Sequence, residues 1–361
     1  MSFYTLCASP LCPLSLLSPL LHPIPFQTYA GYDTKLHEAL IDTACGSAGF
    51  TMHSIFHVWR ALAKPDDKNP NRHLLTAADR TPLEKDYVQD KVFAIDFDEK
   101  SVRVARCLNL IAGDGESNVL HLNTLDWKRW DETFKQPDWQ STYFAGWRKM
   151  KKLMAGKGND YRQFNFDVLM ANPPFAGDIK QQDMLAPYEL ATKENGKAEK
   201  AVGRDLLFIE RNLDFLKPGG RMAVVLPQGR FNNSSDKRIR EFIAERCRIL
   251  AVVGLDGNTF KPHTGTKTSV LLVQKWNDSL EGPPCPHSKD GDYNIFFATQ
   301  RMPAKDNSGE KLVATQDGKP LKDRYGHFIV QHDLFNHEGE THDGIAEAFI
   351  EFAKKEQLSF F

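Results

Sequence analysis

A chain of 361 residues has room for a large core and roughly one to two domains. Its 46 Lys+Arg against 47 Asp+Glu leave a formal net charge of −1, which excludes a globally basic nucleic-acid binder, so contact with a polyanion must come from local patches or partner subunits. Hydrophobic content of 41% and charged content of 26% fit a soluble globular protein, and six scattered cysteines without a C-x-x-C pair fit a reduced cytoplasm better than a disulfide framework or a zinc site.

Residues 1–35 read as a disordered arm. Within it Pro10, Pro13, Pro19, Pro23 and Pro25 break every apolar run, and no Lys or Arg precedes Leu11 to Leu21. A signal peptide lacks its basic start there, and the stretch is too short and interrupted to span a bilayer, so no membrane is expected. A main domain follows over 36–278, with an insert at about 126–164. Residues 279–361 form a C-terminal extension with a terminal helix.

Leu40-Ile41-Asp42 is a short apolar entry to a Gly-rich turn. Phe50 to Leu62 reads as a helix, with Phe50, Ile55, Val58, Trp59 and Leu62 apolar. Residues 64–90 carry Pro65, Pro70 and Pro82 and read as a loop or irregular insert. Val92 to Asp96 is a buried strand with an acid at its end. Lys100 to Ala112 has helical period, with Val104, Leu108 and Ile111 on one side and Gly113 as the stop. Asn118 to Leu122 is another short strand. The 126–164 insert is rich in Trp and Lys/Arg, a composition that suits either phosphate and base contact or a solvated insert with a few buried tryptophans.

The apolar run Phe166 to Ala171 is a buried strand that ends in Asn172-Pro173-Pro174-Phe175. A polar loop extends to about Gly203, then a helix, Asp205 to Leu216, stops at Lys217-Pro218-Gly219-Gly220. Arg221 to Leu226 is a strand, Lys237 to Arg248 a helix, Ile249 to Leu255 a strand, and Ser269 to Lys275 the last clear strand. Beyond Asn277 the chain is polar and turn-rich until a helix at about Gly344 to Lys355. Strands alternating with helices predict a parallel α/β sheet covered on both faces. Ligands of such sheets bind beyond the strands' carboxyl ends.

Three motifs fall at those ends. In Asp42-Thr43-Ala44-Cys45-Gly46-Ser47-Ala48-Gly49-Phe50, small residues let a ligand press against the backbone before a helix N-terminus. The loop is not the dinucleotide fingerprint, and its opening acid suits a cationic or amino-bearing ligand better than a diphosphate. Asp96 can accept both hydroxyls of a ribose, while Asp98 and Glu99 fit helix N-terminal acids. In Asn172-Pro173-Pro174-Phe175, two prolines can continue neither helix nor ladder. An amide, a carbonyl and an aromatic face are thereby fixed at a strand end. This is either a plain strand-ending turn or a receptor for a flat base with an exocyclic amine.

Taken together, these residues resemble S-adenosylmethionine-dependent DNA adenine-N6 methyltransferases, and more narrowly the modification subunit of type I restriction–modification systems. Asp42 to Phe50 is similar to that family's Asp-Pro-Ala-Cys-Gly-Ser-Gly-Gly-Phe loop. Phe260 to Thr268, leading into Ser269-Val270-Leu271-Leu272, and Ala346-Glu347-Ala348-Phe349 with Leu358-Ser359-Phe360-Phe361 also look like the family's. The resemblance covers residues 40–361. It implies a Rossmann-like fold with a mostly parallel central sheet, helices on both faces and one antiparallel strand near an edge.

By the same resemblance, S-adenosyl-L-methionine binds at Asp42, Ala44, Cys45, Gly46, Gly49, Asp96 and Asn123. Asn172, Pro173, Pro174 and Phe175 are catalytic, and Phe175 and Phe260 contact the target base. The implied partners are double-stranded DNA, a specificity subunit and a restriction subunit, in the cytoplasm. Thr43 and Ala48 replace a proline and a glycine of the family loop, and Ala48 would be strained if its φ is positive. The family's N-terminal helical domain and the Phe-Thr-Pro-type segment before the loop have no likeness in residues 1–25. Two alternatives stand beside this reading: a truncated, cofactor-deficient remnant serving assembly, and a methyltransferase acting on a protein glutamine amide. His53 and His57 have metal-ligand spacing but no glutamate between them, and Cys45 and Cys285 read as non-nucleophilic.

Overall fold

The computed structural model describes residues 38–62, 80–111, 118–193, 195–277, 292–323 and 326–358. The arm at 1–35, residues 64–79, the 278–291 linker with Cys285, and Ser359 to Phe361 lie outside the described residues.

Short, nearly uncharged runs form the centre of the molecule. Leu40–Asp42 (β1), Val92–Asp96 (β2), Val119–His121 (β3) and Phe166–Ala171 (β4) are buried almost throughout, as strands covered on both faces must be. Leu216–Pro227 (β5), Cys247–Gly254 (β6), Thr268–Lys275 (β7) and Phe296–Thr299 (β8) complete one sheet. Its order is β8-β6-β7-β5-β4-β1-β2-β3. β7 runs antiparallel to β5 and β6, and all other pairs are parallel. The chain runs outward from β1 through β2 to β3, then returns to place β4 on the other side of β1. The strand order therefore reverses between β1 and β4, where an open α/β sheet leaves a crevice.

Gly49–Leu62 (α1) packs on β1 and β2, and Glu99–Ile111 (α3) on β2 and β3. Arg204–Phe215 (α5) packs on β4 and β5, and Lys237–Arg246 (α6) on β6. Right-handed crossovers on the two sides of the reversal place helices on both faces. Ile345–Lys355 (α7) closes over β8 with Ile345, Ala346, Phe349 and Ala353 buried. Asp98 caps α3 by accepting the Ser101 N–H at 2.8 Å, as its position before the helix predicts. Among the described residues, no helix is long and apolar enough to cross a membrane.

Three local expectations change, and the open choice for the 126–164 insert falls to the buried tryptophans. Residues 82–91 are helical rather than irregular (Pro82–Lys91, α2). Pro82 opens that helix instead of breaking it, because its missing N–H is an unpaired position there anyway, and Thr81 and Glu84 form a capping box. The buried face of α3 is Val102, Ala105 and Asn109, while Val104 is 46% exposed. Phe296–Thr299 adds an edge strand in a stretch that reads as turns alone. The 126–164 insert turns its tryptophans inward. Trp130, Trp139 and Trp147, from a short helix and from Pro137–Lys151 (α4), are buried with Tyr161 and Phe164 and pack with the half-buried Phe134 in one aromatic cluster.

Arg211 of α5 plugs that cluster. Its guanidinium donates to the carbonyls of Thr124 (3.0 Å), Tyr161 (2.9 Å) and Arg162, and lies 5.6 Å from the Trp130 ring centroid. Burial pulls its pKa down to about 10.

Candidate active site

β1 ends at Asp42, which is fully buried. Its Oδ1 accepts the Ala44 N–H at 3.0 Å, while Oδ2 is buried without a hydrogen-bond partner in the protein. Burial raises its pKa well above the usual carboxylate range. The Ala44 N–H opposes this, and the neighbouring charge of Asp96 adds to it. The loop is stitched to β2: Cys45 N–H donates to the Ile95 carbonyl at 3.0 Å and Gly46 N–H to Asp96 Oδ2 at 2.8 Å. Asp96 Oδ1 accepts from the Asp98 N–H at 2.8 Å, leaving each carboxylate oxygen further lone-pair capacity.

Gly46 has φ +51 and nothing within 4 Å of where a Cβ would stand, so there is open space over the loop. Ala48 has φ +67 and is wholly buried. It stands in the left-handed region without being glycine, at a cost of order 1–2 kcal/mol. Thr43 does more than replace a proline. Its hydroxyl donates to Asn212 Oδ1 on α5 at 2.6 Å, and its carbonyl accepts from the Thr124 hydroxyl at 2.7 Å. Burial pushes the Cys45 thiol up, with Asp42 and Asp96 adding to the shift, so its thiolate is disfavoured.

Asn123 follows β3. Its Oδ1 accepts the Leu125 N–H at 3.1 Å and its carbonyl accepts from Trp130 Nε1 at 2.8 Å; the side-chain oxygen thus serves its own turn. Phe97, directly after Asp96, holds its ring 70% exposed beside His121. Its signal in the sequence is an aromatic directly after a strand-end acid.

On the other side of β1, Asn172 leaves β4 with Oδ1 buried and without a protein partner. Pro173 is buried, Pro174 exposed and Phe175 half-buried. Phe260 arrives from the 255–267 loop between β6 and β7 and meets Phe175 edge-to-face, with ring centroids 5.3 Å apart at 80°. The polar stretch after Phe175 returns to its start: Asp178–Ile179 pairs with Val202–Gly203, and Arg204 N–H donates to the Gly177 carbonyl at 3.1 Å. Arg230, just past β5, grips Asp205 at 2.7 and 3.1 Å and Asp236 at 3.3 Å, pinning the start of α5 beside this region.

Asn123, Asp96, Asp42 and Asn172 therefore stand in a row at the carboxyl ends of β3, β2, β1 and β4. At the usual strand spacing the row spans roughly 14 Å. Ala44, Cys45 and Gly46 lie over its centre, and Gly49 opens α1. Phe260 is brought against Phe175, and the buried tryptophans of the insert lie within the aromatic core.

The sheet order, with its one antiparallel strand and its reversal between β1 and β4, defines a Rossmann-like α/β fold. The N-6 DNA Methylase family matches residues 16–355, and the chain belongs to that family. The type I restriction enzyme EcoEI methylase subunit of Escherichia coli is 25% identical over 253 residues, covering 69% of this chain and 40% of that protein. The type II restriction enzyme and methyltransferase RM.Eco57I of Escherichia coli is 27% identical over 120 residues, covering 33% of this chain and 12% of that protein. The chain thus spans well under half the length of either relative. Among solved structures, the ATP-dependent type ISP restriction-modification enzyme LlaBIII bound to DNA superposes with a TM-score of 0.50 at 11% identity, covering 74% of this chain and 19% of that one. That likeness is one of fold.

Proposed function

We propose that this chain is a DNA adenine-N6 methyltransferase that uses S-adenosyl-L-methionine, acting as the modification subunit of a type I restriction–modification system. The observation that carries this is the buried, unpartnered Asn172 Oδ1, held by two prolines beside the β1–β4 crevice. A buried acceptor without a donor costs free energy unless a ligand supplies one, and an exocyclic amine does so.

The residues on the other side fit the methyl donor. Asp42 Oδ2 is a second buried acceptor awaiting a partner, and its high pKa is what a neighbouring cation would lower. Gly46 leaves room over the loop. Asp96 would hold the ribose hydroxyls, with Ala44, Cys45, Gly49 and Asn123 around the rest and the exposed Phe97 ring against the adenine moiety. S-adenosylmethionine bound there supplies an electrophilic methyl group. In the target slot, Asn172 Oδ1 and the Pro173 carbonyl accept the two hydrogens of the adenine amine. This draws the lone pair out of conjugation with the ring and stabilises the positive charge that develops on nitrogen. Phe175 stacks on the base, which must leave the duplex to reach it. Positioning supplies most of the acceleration.

Sequence readout then belongs to a specificity subunit and cleavage to a restriction subunit. A net charge of −1 suits a chain that leaves much of the phosphate contact to a partner. Calorimetric titration with S-adenosylmethionine, followed by methyl transfer to mixed-sequence DNA with N6-methyladenine detected by mass spectrometry, tests the proposal. Binding and N6-methyladenine are expected. No heat at millimolar ligand, or methyl incorporation into a glutamine-containing peptide but not DNA, would overturn it.

A further inference from the structure

The loop that carries Phe260 is held from outside the domain core. Lys305, in the segment after β8, donates from Nζ to the carbonyls of Thr259 at 3.3 Å and Lys261 at 2.7 Å, the residues on either side of Phe260. Its own carbonyl accepts from Asn258 Nδ2 at 3.2 Å. Gln300 adds a bond from the Asp256 N–H to its Oε1 at 3.0 Å. Gly309 closes the cradle: its φ is +95, and a Cβ there would stand 2.8 Å from the Pro262 nitrogen. Burial pulls the Lys305 pKa down. Phe175 is stiffened instead by the prolines before it. One aromatic wall is therefore rigid through its own covalent chemistry, and the other is clasped through an ammonium group.

The two rings are also too close for a base to lie between them. They meet edge-to-face with centroids 5.3 Å apart, a direct ring contact that leaves no gap for a base between them. Phe260 must move outward to admit a base and settle back onto it.

We propose that Lys305 is a positioning residue: by clasping the backbone on both sides of Phe260, it sets the width of the aromatic slot beside Asn172 and returns Phe260 onto an extruded base. The identity of that base rests on the adenine-N6 reading above; the clasp does not.

Fluorine NMR of the full chain, with 4-fluorophenylalanine at position 260 alone, reads the clasp without a ligand. The Phe175 ring current shifts that signal, and Phe175→Leu marks its unshifted position. Lys305→Met should move the signal toward that position, and Lys305→Arg should keep it near the wild-type value. Gly309→Ala, pressing on the loop from the other side, should move it as well, and it carries the test if Lys305→Met melts below the measuring temperature. An unmoved signal in a folded variant overturns the proposal. In methyl transfer, stacking on the base acts equally before and in the transition state. Lys305→Met should therefore raise KM for DNA about fivefold or more with kcat nearly constant. A moved signal with unchanged KM would overturn the slot-width role. If the wild-type chain assembled with a specificity subunit methylates no DNA, the adenine-N6 reading falls while the fluorine spectra still decide the clasp.

Discussion

The 42–50 loop and the 172–175 turn leave adjacent strands of one sheet, yet they are made rigid by different means. The loop has no proline. Its shape rests on hydrogen bonds to carboxylates, with Ala44 N–H on Asp42 and Gly46 N–H on Asp96, and on two residues at positive φ, Gly46 and the non-glycine Ala48. The turn needs no carboxylate, because Pro173 and Pro174 stiffen it covalently. Each presents one buried oxygen without a protein partner, Asp42 Oδ2 and Asn172 Oδ1. One can carry charge and the other cannot. The loop side should therefore respond to pH and to a cation, and the turn side only to a neutral donor of the right shape.

The sharpest way to separate the two is Asn172→Ala. Loss of a positioned polar contact to a developing charge typically costs 10²–10³ in rate, so methyl transfer should fall by about that factor or more. Affinity for S-adenosylmethionine should stay within twofold by calorimetry, because the loop is held independently. Loss of cofactor binding in this variant would show that the two sides are one unit.

Asp42→Asn tests the other side and should do the opposite to stability. Burial raises the Asp42 pKa in the native chain above its ordinary value, so the folded state binds the proton more tightly than the unfolded state. Stability is then present at low pH and is lost as pH rises from about 4 toward the folded pKa. The asparagine variant lacks that loss. It should match the wild type near pH 4 and exceed it increasingly as pH rises toward 8, read by urea denaturation, while binding of S-adenosylmethionine is abolished. A stability difference that does not change with pH would remove Asp42 as the charged element of the loop.

What the sequence shows of this molecule follows from range. Asp42, Asp96 and Asn172 are legible because each ends a continuous apolar run, and burial on both faces leaves no other reading for such a run. Val104 is not, because a helix with apolar residues on two sides does not say which faces the sheet; the structure buries Val102 and Ala105 instead. Pro82 signals a break until Thr81 and Glu84 are seen to cap it. Phe296–Thr299 is too short, and too exposed on alternate residues, to stand out as a strand. Lys305 is wholly tertiary: nothing near it in the chain announces that its ammonium lies between the carbonyls of Thr259 and Lys261.

The smallest expected effect lies within the loop itself. Ala48→Gly removes roughly 1–2 kcal/mol of left-handed strain and also removes a buried methyl worth about 0.8 kcal/mol. The freer unfolded chain takes back a further part. The three terms nearly cancel, so Tm should move by no more than about two degrees in either direction. A clear loss would mean that the Ala48 methyl holds the loop through packing more than its φ strains it. The loop would then owe its shape to the apolar core as well as to Asp42 and Asp96, and the contrast with the proline turn would narrow to charge alone.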